Sequence, residues 1–134
     1  MKSRVFVYQW LAGLCDTITG LLLIFAPART LELMGVQRAP QPVAFVGFIG
    51  VFVLGVGLSY LYVACLPLNS KTAPRWQTVW WLTSLTRTLV SAFLAWQILA
   101  GRMEKAWLAV AITDGVLAVF QWIGLFCGWL EIEA

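Results

Sequence analysis

Four long apolar runs decide what this chain can fold into: Val5 to Ala26, Val43 to Leu66, Trp76 to Ala100, and Ala106 to Leu130. Each holds 22 to 25 residues. At ~1.5 Å per residue, a helix of that length crosses a ~30 Å hydrocarbon core with modest tilt. Lipid offers nothing to an open backbone, so each run is predicted to close its own hydrogen bonds as a helix. Pro27, Pro67 and Gly101 stand where the first three runs end, as ordinary helix stops. Only 11% of the 134 residues are charged and 61% are hydrophobic, whereas a soluble domain carries roughly a quarter charged residues. There is too little polar side chain here to clothe a globule in water.

The connections are short. "PARTLELMGVQRAPQP" is the longest, and Pro27 is placed to open a short helix through Met34. That helix is expected to lay Leu31, Leu33 and Met34 into the membrane interface and to turn Arg29 and Glu32 to water. "PLNSKTAPR" at 67–75 reads as a polar turn. "GRMEK" at 101–105 is tight enough to make the third and fourth runs an antiparallel hairpin. The expected fold is all-α: one domain over 1–134, an integral membrane up-down-up-down four-helix bundle with helices at about 5–26, 43–66, 76–100 and 106–130. Lys2 and Arg4 before an apolar run, with "APA" at 26–28, have the outline of a signal peptide. The run's length and Asp16 within it argue that it stays in the chain.

Orientation is balanced. Lys2, Arg4, Lys71 and Arg75 fall on one side, and Arg29, Arg38, Arg102 and Lys105 on the other. The N-terminal pair and the leading role of the first helix favour both termini in the cytoplasm. Trp10, Trp76 and Trp129 lie near run ends, where interfacial aromatic belts sit. Cys15, Cys65 and Cys127 form no CxxC pair or metal spacing and are expected to be small buried residues. The absence of His removes imidazole haem ligation, His-based triads and most zinc sites, so no metal is expected and the cofactor is left unknown. A net charge of +3 spread over the loops gives no basic stripe for nucleic acid.

The feature that asks for a function is Arg87, the sole charge in its run. It lies eleven residues after Trp76, and Asp16 lies eleven after Val5, from ends on the same membrane side. Asp114 is eight residues into the fourth run, counted from the opposite side. All three therefore fall within a turn or two of one depth. A lone charge at a helix centre costs about 2.5–3.5 kcal/mol on insertion scales, so the three are expected to face inward and meet. Arg87 is predicted to be held by Asp16, Asp114 or both, since a guanidinium fork suits two carboxylates. Ser84 and Ser91 share the face of Arg87, and Thr19 that of Asp16. Gln121 shares the face of Asp114, and Tyr60 closes the second run beyond the small residues Gly47, Gly50 and Gly57. "LCDTITGLL" at 14–22 also aligns with "LTRTLVSAF" at 85–93, matching Asp16 to Arg87, as a duplicated hairpin would.

Two carboxylates against one guanidinium leave one negative charge to neutralise, by a proton or a small cation. Three functional readings follow. One is a protein that binds a lipid, quinone or isoprenoid through Arg87, Ser84, Ser91, Thr19, Gln121 and Tyr60, or serves as an accessory subunit of a membrane complex. Another is a membrane-embedded isomerase or cyclase with Asp16 or Asp114 as the general acid. The last is a dimeric proton-coupled transporter. A passive network that fixes helix register uses the same residues.

"CDTITGLLLIFAP", the interfacial "LELMGV", the glycine-rich "FVGFIGVFVLGVGLSYL" and the closing "TDGVLAVFQWIGL" together resemble DoxX-like small bacterial membrane proteins. That resemblance implies an inner-membrane four-helix protein. Some members act as membrane subunits of quinone-linked oxidoreductases, and eukaryotic relatives assist receptor assembly. It carries no catalytic residue onto this chain. Small four-helix multidrug transporters also place an acid in the first helix, the position of Asp16, but lack an equivalent of Arg87.

Overall fold

The computed structural model describes residues 2–131, with the side chain of Lys2, one of the cations counted above, outside the described residues. The described chain is helical and falls into two compact units, Met1–Cys65 and Leu66–Ala134.

The first unit holds α1 (Lys2–Phe25), α2 (Pro27–Leu33) and α3 (Ala44–Ala64). α1 and α3 pack along a line of small residues. A Cβ on Gly57 would lie 2.5 Å from the backbone nitrogen of Thr17, and one on Gly20 would lie 2.5 Å from that of Leu54. Backbones can come this close only where a side chain is missing, and close approach replaces the hydrophobic drive that lipid does not supply. α2 opens on Pro27, as the sequence predicts. The Thr30 hydroxyl donates back to the carbonyls of Leu22 and Ala26 at 3.0 and 2.8 Å. Leu33 is 86% exposed, as an interfacial residue should be, but Leu31 is buried in the unit's core. Two residues apart on a helix, these two cannot share a face.

The second unit holds α4 (Ala73–Leu99), a 3₁₀ turn (Lys105–Trp107) and α5 (Leu108–Phe126). α4 starts three residues before the apolar run, because Asn69 prepares its first turn. The Asn69 side chain accepts from the backbone of Lys71 and Thr72, and its carbonyl accepts from Ala73. Pro74 fits that turn, where its missing N–H is no loss. α4 and α5 both end on a left-handed glycine, Gly101 (φ +70°) and Gly128 (φ +67°). In each case the following residue donates back five positions, Arg102 to Gln97 and Trp129 to Gly124, at 2.9 Å. This corrects the fourth predicted helix, which stops at Phe126 rather than Leu130. Its chain reverses so that Trp129 packs against Phe120, with ring centroids 5.2 Å apart.

Among the described residues, three helices are long and apolar enough to cross a membrane: Ser3–Phe25, Ala44–Ala64 and Lys105–Phe126. α4 has the length, at 27 residues, but Arg87 and its Thr, Ser and Gln residues dilute its apolar character. Large apolar side chains cover the outside of the other three. Phe45, Phe48 and Phe52 on α3 are each more than half exposed, as are Ile112, Val116 and Val119 on α5. An apolar exterior of this extent is compatible with a membrane-facing surface. Two expectations depart from the structure. Cys15, Cys65 and Cys127 are exposed rather than buried. Trp76, expected as an interfacial anchor, is fully buried beside Trp80 on the inner face of α4.

Candidate functional site

The buried face of α4 repeats every four residues through Thr83, Arg87 and Ser91. Each of the three makes a polar contact with α5. The Gln121 amide donates to the Thr83 hydroxyl at 2.8 Å. The Arg87 guanidinium donates to the Asp114 carboxylate. The Ser91 hydroxyl donates to the Ala111 carbonyl at 2.7 Å. The α5 partners run 121, 114, 111 as α4 runs 83, 87, 91, which is the order an antiparallel pair requires. A Cβ on Gly115 would lie 2.9 Å from the Ser91 hydroxyl, so the glycine beside Asp114 is what lets that rung close. A fourth contact lies on the flank, where the Trp122 indole donates to the Thr88 hydroxyl at 3.1 Å.

Burial gives these contacts weight. Arg87 is only 5% exposed and the Asp114 side chain 17%. Ser84 and Gln121 are fully buried, and Ser84 turns its hydroxyl to the Trp81 carbonyl at 3.0 Å on its own helix. Ala111, Ala118 and Gln121 are buried on the face that carries Asp114, as their spacing predicts.

The remaining predicted site residues, Asp16, Thr19 and Tyr60, belong to the first unit. Asp16 and Thr19 are half-buried on α1. Tyr60 is fully buried on α3, where its carbonyl accepts from the Gln9 side chain at 3.0 Å and its ring meets Tyr8 edge-on at 6.2 Å. Between Gln9 and Asp16, α1 buries Ala12 and sets Gly13 against Tyr60 and Leu61 of α3.

A second feature was not legible in the sequence. Between the start of α4 and the end of α5 lies a cleft of about 690 Å³. Its walls are apolar and aromatic, chiefly Trp81, Leu82, Trp122, Leu125 and Phe126, and its rim carries Gln77, Thr78 and Glu131. Arg87 and Asp114 are not among the residues that line it. The cleft exists because Gly128 turns the chain back, bringing Leu130 and Glu131 over the end of α5. A sequence reading that continued this helix to Leu130 has no such recess. Comparison with protein-family models, with curated proteins and with solved structures finds no match to this chain.

Proposed function

We propose that this is a small integral membrane protein whose α4–α5 hairpin holds an amphipathic, lipid-like molecule, alone or as an accessory subunit of a larger membrane complex. The observation that carries this reading is the cleft. It is an open groove of about 690 Å³ whose apolar walls and few polar groups suit an amphipathic molecule. Trp81 and Phe126 are 50% and 83% exposed, so the apolar part of a bound molecule can leave the cleft along rings that already face the acyl chains.

In this reading all four long helices cross the membrane as one bundle, with α4 carried by α5, and both termini lie in the cytoplasm of a bacterial cell. The resemblance to DoxX-like proteins points to the same membrane and to lipid-soluble partners. The polar seam is the hairpin's internal fastening. Arg87, Ser91 and Gln121 act on the ligand by fixing how α4 sits on α5, because each is already bonded across the hairpin, while Ser84 is bonded within α4. Tyr60 supports the first unit in the same way, through its carbonyl and ring.

The test is native mass spectrometry of the protein released from lipid nanodiscs. Retained lipid on the wild type, reduced severalfold by Trp81→Ala and Phe126→Ala, supports the reading. Both side chains are exposed, so their truncation leaves the core intact. Equal retention by wild type and both variants would refute it. Reporter fusions at each end check the topology, with a periplasmic signal from either terminus counting against it.

A further inference from the structure

The rim of the cleft is rich in acceptors, and this has a consequence for what it holds. Glu131 contributes a carboxylate on the exposed side. The Thr78 hydroxyl gives its proton to the Pro74 carbonyl at 2.9 Å, leaving its oxygen to accept. Gln77 adds a carbonyl acceptor and an amide group with two N–H donors. Just inside stand the rings of Trp81 and Trp122, whose π faces attract cations. A head group that only accepts, such as a quinone carbonyl, finds neutral donors here, in the Gln77 amide and the Trp81 indole, and leaves the Glu131 carboxylate unanswered. A protonated primary amine finds a carboxylate, two further acceptors and two aromatic rings. Lys71 and Arg75, both exposed, put positive charge at the same end of α4, the sign that a phosphodiester needs.

From this we infer that the cleft selects a phospholipid with a primary ammonium head group, of the phosphatidylethanolamine type. The ammonium sits at Glu131 and the acyl chains run out over Trp81 and Phe126. This rests on the reading of the cleft as a lipid-like site, and it adds the head-group chemistry.

Nanodiscs containing equal parts of phosphatidylethanolamine, phosphatidylcholine and phosphatidylglycerol, with a minor share of an isoprenoid quinone, test both levels at once. The expected result is that the wild type retains phosphatidylethanolamine about tenfold over phosphatidylglycerol, the ratio one charge-assisted hydrogen bond supplies. Glu131→Gln is expected to bring phosphatidylethanolamine retention down about tenfold, to the level of phosphatidylglycerol, whose own retention stays as in the wild type. Equal retention of the three phospholipids, preferential retention of the quinone, or a preference that survives Glu131→Gln overturns the head-group assignment and leaves lipid binding standing. Loss of all retention in the wild type overturns the underlying reading.

Discussion

Arg87 on α4 donates to Asp114 on α5, and both side chains are removed from solvent at mid-helix. A guanidinium at that depth is tolerable only with an anion at hand. The pair ties the less apolar helix of the hairpin to its more apolar neighbour. Removing one partner from a buried pair typically costs 3–5 kcal/mol, because the other charge is left behind. Arg87→Ala and Asp114→Leu are therefore each expected to lower stability by about that amount. Asp114→Asn, which keeps an acceptor, is expected to cost less than Arg87→Ala. The reversed pair, Arg87→Asp with Asp114→Arg, is expected to recover part of the loss. Unfolding in detergent followed by circular dichroism reads these variants and the two single reversals, Arg87→Asp and Asp114→Arg. Strict additivity of the reversed pair would remove the coupling.

The same pair has a consequence for membrane insertion. Alone, α4 carries an unpaired arginine worth roughly 2.5–3.5 kcal/mol against insertion at its centre. In a glycosylation-mapping assay, α4 by itself is expected to insert poorly and α5 by itself well. Arg87→Leu should rescue isolated α4. The complete α4–α5 hairpin should insert without that change, and Asp114→Leu should weaken it. If isolated α4 inserts as readily as α5, it needs no carrier.

The glycines of the first unit separate into close contacts and open positions. A Cβ at Gly57 or Gly20 would collide with the backbone of the partner helix, whereas one at Gly55 would meet nothing within 4 Å. Gly57→Ala and Gly20→Ala are expected to cost about 1–3 kcal/mol through forced separation of α1 and α3. Gly55→Ala, inside the same helix, should be neutral or slightly stabilising, since alanine is the better helix former. Thermal melts of the three variants give the ranking. A Gly55→Ala variant as damaged as Gly57→Ala would show that approach distance does not set the ranking of these sites.

The rung between Gln121 and Thr83 is neutral, so its expected effect is smaller. Thr83→Val removes the acceptor and leaves the Gln121 amide in a fully buried position. Interhelical hydrogen bonds in membranes average about 0.6 kcal/mol and reach about 1.7, and the burial of Gln121 places this one toward the upper value. The double variant Thr83→Val with Gln121→Leu is expected to be less damaged than the sum of its parts. A double-mutant cycle with no coupling would show that the contact contributes nothing.

What the sequence determined by itself is the part governed by local chemistry and by depth. Lipid cannot bond a bare backbone, so the apolar runs had to be helices, and Pro27 opened α2 as its fixed φ dictates. Counting residues from the run ends put Arg87 and Asp114 at one level, and the i, i+4, i+7 spacing put Ser91, Ala111, Ala118 and Gln121 on inward faces. Depth alone could not say which acid meets Arg87, because Asp16 and Asp114 satisfy the count equally. The contact with Asp114 became visible only once α4 was seen packed on α5 in one rotational setting. Nor could composition say that Trp76 faces in while the three thiols face out. In lipid both sides are apolar, and the energy that sorts side chains in water is missing. The cleft lay furthest from view. It depends on a single left-handed residue, Gly128, reversing the chain, and on two distant segments meeting around the space that reversal leaves.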